Sequence, residues 1–335
     1  MNYHSYDATE AWEHVNPHNK EIVKFFMENL GASGRSKKTI EKYTHNLKLF
    51  FQWVLIERNN KPFYEIKKRD YSGWFNYLVN KQNLSPARVR VLRSTVSSLS
   101  NFCENILAED DDFEEYEGFR NIVLKIEAPS LENTRVRTFL TKEQIDLLIE
   151  TLLEKGDYQK ALYVVLSFVT GARKAEICQL KVSDFETEHL NGHKVYYKTH
   201  PIRCKGNGLQ GKQREFTIMK TPIYSFLVLW LKERERLGVL PELDDLFVAN
   251  SKNGYYAVKP ETFNSWCTSF TKILGVPVYP HAFRASIATH LHNSEGKDMS
   301  KIQSLLGHKS METTQHYIED ISGLDIFDLF EGEDE

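Results

Sequence analysis

Six polar residues in the second half of the sequence have side chains that could act together on a phosphodiester. They are two arginines, two histidines, one lysine and one tyrosine: Arg173, Lys205, His281, Arg284, His308 and Tyr317. Attack by an oxygen nucleophile builds negative charge on the non-bridging oxygens, which guanidinium groups bind with two directed donors each. A tyrosine hydroxyl, with a pKa near ~10, must lose its proton as it attacks, and the departing sugar oxygen must gain one.

These residue types can also carry out the two proton transfers. Either His281 or His308 can accept or share the proton of the nucleophile, and Lys205 can donate the second proton. Lys212, on the other side of the same loop, is a rival for the role of Lys205 because the loop is long.

Three of the six residues also have a structural interpretation. Arg173 could cap the preceding helix through backbone carbonyls, and Arg284 could be one partner of a surface ion pair. Tyr317 could be a core residue of a short amphipathic helix, which is the usual place of a tyrosine in such a helix.

Two patterns typical of other chemistries are present but incomplete. Residues 206–211 spell GxGxxG, but the segment after them, KQREFTIM, is typical of a strand and not of the helix that a dinucleotide site needs. These glycines therefore predict the turn of a β-hairpin, and there is no Walker A sequence. Five histidines fall within residues 281–316, yet no HExxH sequence and no Cys/His pair with ligand spacing occurs. We expect no cofactor and no metal.

The candidate residues lie in four short pieces of sequence. They are TGARKAE from Thr170, Lys205 at the start of the hairpin loop, HAFR from His281, and LLGH from Leu305 with Tyr317 nine residues after His308. Their order and spacing closely resemble the tyrosine recombinases, also called the phage integrase family. The likeness continues in HAFRASIATHL and LLGHKSMETTQHY and, more weakly, in SKKTIEKYTHNLKLFFQW, so that it extends from about residue 17 to 319.

The resemblance implies a role for each residue. In this family the matching residues are a nucleophile (Tyr317), a phosphate-binding set (Arg173, Arg284 and His308), a general acid (Lys205) and a proton-transfer or hydrogen-bonding group (His281). Glu176 matches an acidic position that supports the first arginine. Transesterification keeps the bond energy in a protein–DNA link, so the family needs neither ATP nor a metal. Ala285 and Glu319 stand where many members have histidine, which concerns the subfamily more than the activity.

The implied function is site-specific recombination, in which DNA strands are cut and rejoined through a covalent 3′-phosphotyrosyl intermediate. The alternative is a DNA-binding regulator that keeps the fold without cutting, and a third interpretation is a topoisomerase that relaxes DNA without choosing a site. The presence of all six catalytic residue types favours the enzyme. A separate N-terminal helical unit, suited to a clamp on a defined site, disfavours the topoisomerase.

The charge distribution is compatible with a DNA partner although the formal net charge is -3. Fifteen of the 46 acids fall in two segments without a base, residues 109–117 and 319–335, and outside these segments the chain is basic. The candidate DNA-binding residues are five basic side chains in the first third: Lys37, Lys38, Lys42, Arg90 and Arg93. A solvated basic surface with acidic ends that aid solubility is the alternative.

The apolar periodicity predicts a mainly helical, two-domain protein. Helices are expected from residue 37 to 53 and from 85 to 107, where Arg90, Arg93, Ser97 and Asn101 share the side opposite an apolar seam. In the second half, helices are expected over 142–154, 158–169, 224–236, 261–273, 281–292, 299–306 and 311–319, and strands over 195–202 and 215–219. The predicted fold is an all-helical core-binding domain followed by a mainly helical catalytic domain with a small antiparallel sheet, as in tyrosine recombinases.

We predict five segments along the chain. They are an N-terminal extension (1–16), the helical core-binding domain that clamps DNA (17–110), an acidic linker (111–136), the catalytic domain (137–320) and an acidic tail (321–335). In the tail, Leu324, Phe327 and Phe330 share one side of a short helix and must dock somewhere. Docking on its own body is the plain interpretation. The resemblance instead implies docking on a neighbouring protomer, in a homotetramer on duplex DNA with paired half-sites that is a monomer or weak oligomer without DNA.

The remaining composition predicts a protein of the bacterial cytoplasm, of host or phage origin and associated with the nucleoid. No apolar run approaches the roughly 20 residues that span a bilayer, and no signal peptide is visible. The four cysteines lie far apart with no CxxC pair, which favours a reducing compartment and disfavours disulfides and a structural zinc site.

Overall fold

The computed structural model describes residues 8–127, 138–204, 211–293 and Leu306. These residues form two compact units, the first up to residue 127 and the second from residue 138. No helix in the described part of the chain is long and apolar enough to cross a membrane.

The first unit is entirely helical. Its α-helices are α1 (Ala8–His14), α2 (Pro17–Ala32), α3 (Lys37–Glu57), α4 (Lys68–Asn76) and α5 (Pro86–Asn105), with one π-helical turn (Tyr77–Lys81) after α4. Single-turn 3-10 helices cover Phe63–Glu65, Leu107–Glu109, Asp111–Tyr116 and Val123–Lys125.

Two long antiparallel helices, α3 and α5, make up the centre of this unit. Ser36 begins α3 by accepting a hydrogen bond from the backbone N–H of Thr39 at 3.3 Å, the usual action of an N-cap serine. The amide of Asn46 donates to Thr95 Oγ1 at 3.0 Å, and Tyr43 meets Ser98 one turn away in the opposite direction. Residue numbers therefore decrease along α3 in the direction in which they increase along α5, which shows that the two helices are antiparallel.

The acidic segment after α5 is not a linker, which corrects the prediction for residues 111–127. Phe113 and Tyr116 are buried in the core of the first unit, as are Val123 and Ile126 further along. His18 holds the segment by two contacts, from Nε2 to the Tyr116 hydroxyl at 3.1 Å and from Nδ1 to the Glu115 carboxylate at 3.3 Å. The acids face solvent while the aromatic side chains between them pack inward.

The second unit is mainly helical with three small antiparallel sheets. Its helices are α6 (Lys142–Glu154), α7 (Tyr158–Thr170), α8 (Lys174–Ile177), α9 (Tyr224–Arg236), α10 (Thr262–Leu274) and α11 (Pro280–Asn293). Its strands are β1 (Glu188–Asn191), β2 (Lys194–Lys198), β3 (Ile202–Cys204), β4 (Lys212–Arg214), β5 (Thr217–Met219), β6 (Val248–Ser251) and β7 (Gly254–Ala257). The sheets are β1-β2-β5, β3-β4 and β6-β7.

Helix α7 is the central element of this unit. Residues 161–168 are buried without a break, and α7 packs against α6, α9 and α11, because a helix that is apolar on every side must be surrounded. The preceding helix α6 begins with a capping box in which Thr141 and Gln144 exchange side-chain to backbone hydrogen bonds, as the sequence predicted.

The predicted mainly helical fold with a small antiparallel sheet is confirmed, and the strand predictions need correction. The single strand predicted over 195–202 is two strands in different sheets, β2 and β3, interrupted around Pro201, which has no N–H for a ladder. Strands β1, β6 and β7 were not predicted. The helices predicted over 299–306 and 311–319 lie outside the described residues, apart from the helical Leu306.

Candidate active site

The sequence Thr-Gly-Ala-Arg forms a tight turn at the end of α7. Gly171 caps the helix with φ of 57°, a left-handed conformation that favours glycine. The Thr170 hydroxyl donates to the carbonyl of Leu166 at 2.6 Å and accepts from the N–H of Ala172 at 3.1 Å. The turn is thus hydrogen-bonded on both sides, and it delivers Arg173 to the first position before α8.

Arg173 is held by a buried carboxylate three residues later. Glu176 is only 2% exposed, and its two oxygens accept from the backbone N–H of Arg173 at 2.8 Å and from Nη1 of the same residue at 3.0 Å. The side chain of Arg173 keeps 25% of its surface exposed. A buried, doubly hydrogen-bonded carboxylate therefore orients a guanidinium whose remaining surface is open to a ligand.

The base of the β3–β4 hairpin lies against α8. Burial raises the pKa of the Cys204 thiol, and the charge and hydrogen bond of Glu176 raise it further. Arg214 on β4 stacks over the ring of Phe216 at 4.0 Å, and burial lowers its pKa while the nearby Glu176 opposes that shift. The hairpin and the Arg173 turn therefore share one carboxylate.

The two candidate lysines belong to this hairpin. Lys205 follows Cys204, the last residue of β3, and lies outside the described residues together with the glycine-rich segment. Lys212 begins β4, pairs with Cys204 in the antiparallel register and is exposed. The strands on both sides of the glycines are antiparallel neighbours, which confirms a hairpin there and excludes the strand–turn–helix of a dinucleotide site.

Helix α11 supplies two candidate residues one turn apart. His281 is exposed near the start of the helix, whereas Arg284 is 1% exposed. The guanidinium of Arg284 donates to the backbone carbonyls of Gly171 and Leu306. Arg284 thereby joins the Arg173 turn to the LLGH sequence, and it is neither a surface ion-pair residue nor a group directed mainly at solvent.

The structure brings together Arg173, Glu176 and Arg284, and it places the hairpin base beside them. His308 and Tyr317 lie outside the described residues, as does the acidic tail. Leu306, two residues before His308, is fully buried against this site. Three contributors were not found from the sequence: Gln179, Cys204 and Arg214.

The candidate DNA-binding residues of the first unit separate into two groups. Lys37, Lys38 and Lys42 are exposed on the first turns of α3, and Arg90 is exposed on α5. Asn46 on α3 lies beside Thr95 on the antiparallel α5, so Arg90 lies beside a position about nine residues after Lys42. Arg90 and Lys42 are therefore separated by roughly 13 Å along the helix axes.

Arg93 makes its hydrogen bonds within the first unit. Its guanidinium donates to the carbonyls of Leu124 at 2.8 Å and Ile126 at 2.7 Å, and its Nε to that of Val123 at 3.4 Å. Ser97, on the same side of α5, is buried under Asn121. At Arg93 and Ser97 this side of α5 is covered by the chain itself, which disfavours Arg93 as a phosphate contact.

Within the described ranges, no three His, Cys, Asp or Glu side chains lie close enough together to hold a metal ion. The four cysteines are free thiols.

Comparison with known proteins gives two family matches. The model of the phage integrase family matches residues 138–322, and the model of the phage integrase N-terminal SAM-like domain matches residues 22–110. The SPbeta prophage-derived recombinase-like protein YomM of Bacillus subtilis (strain 168) is 30% identical over 320 residues, 93% of this chain and 90% of its own. Tyrosine recombinase XerA of Pyrococcus horikoshii is 27% identical over 303 residues, 89% of each chain.

A solved structure shows the same fold. XerH site-specific recombinase bound to palindromic difH substrate superimposes with a TM-score of 0.64 at 20% identity, over 90% of this chain and 81% of that one. The two-domain likeness therefore covers nearly the whole sequence.

Proposed function

The chain belongs to the phage integrase family and is a tyrosine-type site-specific DNA recombinase, and we propose that Tyr317 is its nucleophile and Arg173 its main phosphate ligand. The observation that carries the proposal for Arg173 is its guanidinium, oriented by the buried Glu176 and still partly exposed. A guanidinium held in this way binds a phosphate oxygen without first having to be ordered.

The proposed reaction exchanges one phosphoester bond for another and moves two protons. The Tyr317 hydroxyl attacks a DNA phosphorus, the P–O5′ bond breaks, and the phosphate becomes joined to the tyrosine through its 3′ side. His281 or His308 takes or shares the tyrosine proton, and Lys205 gives a proton to the departing O5′. A 5′-hydroxyl of another strand then reverses the steps, so that the number of phosphoester bonds is unchanged.

Arg284 contributes by holding the site together as well as by its charge. Its donors join the turn before Arg173 to Leu306, two residues before His308, and its positive charge is buried. Negative charge that develops on the phosphate in the transition state is stabilised more strongly by a desolvated cation than by an exposed one.

We propose that the substrate is duplex DNA with paired half-sites. Exchange of both strands of two duplexes needs four cuts and hence four tyrosines, which a homotetramer on DNA supplies. The exposed Lys37, Lys38, Lys42 and Arg90 of the first unit fit a phosphate backbone, in keeping with a clamp domain over 17–110, and 137–320 would be the catalytic domain. Such a reaction places the protein in the cytoplasm with the nucleoid.

The test is covalent trapping on a nicked duplex. The protein first selects its binding sequence from a random duplex pool. A nick is then placed a few nucleotides beyond the cleavage point, so that the short fragment with the new 5′-hydroxyl diffuses away after cleavage. Wild type should form a 3′-linked adduct on a denaturing gel, while Tyr317→Phe should bind the DNA with unchanged affinity and form none. An adduct of undiminished yield in the variant would refute Tyr317, and no adduct from wild type on its selected site would refute the reaction.

A further inference from the structure

We propose that Gln179 is a positioning residue that sets the place of the general-acid lysine relative to Arg173. This inference rests on the proposed function. Gln179 lies two residues beyond the end of α8 and three beyond Glu176, while the strand it contacts, β3, ends one residue before Lys205.

Gln179 binds the backbone of β3 through both ends of its side-chain amide. Its Nε2 donates to the carbonyl of Arg203 at 3.0 Å, and its Oε1 accepts from the N–H of Arg203 at 3.0 Å. The same Nε2 also donates to the carbonyl of Ala175, within α8. The amide therefore makes the two backbone hydrogen bonds that a neighbouring strand would make on this edge of β3. Through Ala175 it also links this edge to α8.

The register of the hairpin shows which side of β3 is held. Arg203 is opposite Gln213, between the pairs Ile202–Arg214 and Cys204–Lys212. In an antiparallel ladder the backbone groups of alternate residues point away from the partner strand, and those of Arg203 are on Gln179. Strand β4 thus holds one edge of β3 and Gln179 holds the other.

The position of this edge matters because the hairpin is small. Each strand has three residues, and an isolated two-stranded hairpin is at best marginally stable in water. Lys205 is two residues beyond Arg203 in the sequence, and two residues of fully extended chain reach at most about 7 Å. Glu176 holds Arg173 on α8 itself, so the phosphate ligand and the carrier of the acid share one support.

Glutamine suits this position for a specific chemical reason. It combines one donor and one acceptor at the end of a side chain long enough to reach β3, whereas glutamate would set an oxygen against the carbonyl of Arg203. Leucine has a similar size and neither group. Gln179→Leu should therefore loosen β3 without emptying space. Gln179→Glu should lose both hydrogen bonds that Nε2 donates, keep the one that Oε1 accepts, and gain a repulsion.

The experiment measures single-turnover cleavage of the selected, nicked duplex, with either oxygen or sulfur at the 5′-bridging position. Sulfur departs without needing a proton, so it reports whether a defect concerns the general acid. We expect Gln179→Leu to cleave the oxygen substrate about tenfold to a hundredfold more slowly and the sulfur substrate within about twofold of wild type. Lys205→Ala is the reference for this rescue, and Gln179→Glu, which loses both donated hydrogen bonds, should show the same pattern as Gln179→Leu.

The matched control is Gln213→Leu, the same change on the same rung of the hairpin. Gln213 is exposed, and its side chain makes no hydrogen bond within the described residues, so this variant should cleave both substrates like wild type. Equal slowing of Gln179→Leu on the oxygen and sulfur substrates would overturn the inference, and so would a wild-type rate on oxygen. Failure of wild type to form any adduct would instead refute the proposed function, before the variants are compared.

Discussion

Replacing Gly171 with alanine tests whether the turn before Arg173 is set by the packing of Leu306. Gly171 has φ of 57°, and a Cβ there would lie 2.6 Å from Leu306 Cδ2 and 3.0 Å from Ile287 Cγ2. A residue with a Cβ in the left-handed region costs about 1–2 kcal/mol. Forcing a methyl group into a packed core costs about 1–3 kcal/mol more. The second unit should therefore lose about 2–5 kcal/mol of its unfolding free energy.

Gly156 provides the matched control for this substitution. It follows α6 in the same unit with φ of 69°, and a Cβ at this position would meet nothing within 4 Å. Gly156→Ala should show the conformational cost of about 1–2 kcal/mol alone, so the difference between the two variants measures the clash. Because the clash is with Leu306, only Gly171→Ala should also slow DNA cleavage.

The assay is scanning calorimetry of the full chain, followed by trapping of the covalent adduct. A unit of this size loses about 2–4 °C in Tm per kcal/mol, so Gly171→Ala should lower the Tm of the second unit by roughly 10 °C. The transition of the first unit should not move and serves as an internal reference. If Gly171→Ala is no less stable than Gly156→Ala, Leu306 does not pack on this turn as described, and the account of the turn is wrong.

Three other changes give distinct outcomes. If Lys205 is the general acid, the cleavage defect of Lys205→Ala should be rescued by 5′-bridging sulfur, whereas rescue of Lys212→Ala alone would assign the acid to Lys212. Arg93→Ala should lower the unfolding free energy of the first unit by about 1.5–3 kcal/mol in urea titrations, because it removes the charged donor that binds the carbonyls of Leu124 and Ile126. Arg90→Ala should reduce the slope of log Kd against log salt by about 1 and Arg93→Ala should not, and an equal reduction by both variants would refute this distinction. Truncation after residue 320 should preserve binding to one half-site and abolish cooperative occupation of two, as gel-shift titration would show, and unchanged cooperativity would mean that the tail serves only its own protomer.

Long helices were predictable because their signals are local. The apolar spacing in α3 and the capping box at Thr141 depend only on residues a few positions apart, and both are present in the structure. The acidic segment at 111–127 was misjudged for the complementary reason. Its buried residues lie on short 3-10 turns without a 3.6-residue period, and they pack against residues far away in the sequence, such as His18, which contacts Tyr116.

The polar side of α5 shows a second limit of the sequence. The periodicity placed Arg93 and Ser97 opposite the apolar seam, which is correct for the helix alone. Whether water, DNA or the chain itself covers that side depends on where the later segment returns, and here Asn121 and the carbonyls near Val123 cover it.

The candidate site could be predicted as a set of residue types but not as an arrangement. Arg173 and Arg284 were identified by their motifs, yet the sequence does not show that Arg284 is buried with its donors on two carbonyls. Gln179 was missed because its partner is the backbone of Arg203, and a backbone group leaves no mark in the sequence.

The ten residues from Thr170 to Gln179 include Arg173 and contact Arg284, Leu306 and strand β3. Gly171 packs against Leu306, and its carbonyl accepts a hydrogen bond from Arg284. Glu176 orients Arg173, and Gln179 binds the backbone of β3, the strand that ends just before Lys205. This enzyme must align a phosphate ligand, a proton donor and a nucleophile that come from distant segments. Their relative positions are more accurate when one short segment contacts all of the elements that carry them, because the positional errors of separate segments would add. Variants within these ten residues should therefore alter the alignment of groups that they do not touch, which separates them from variants of the reacting groups themselves.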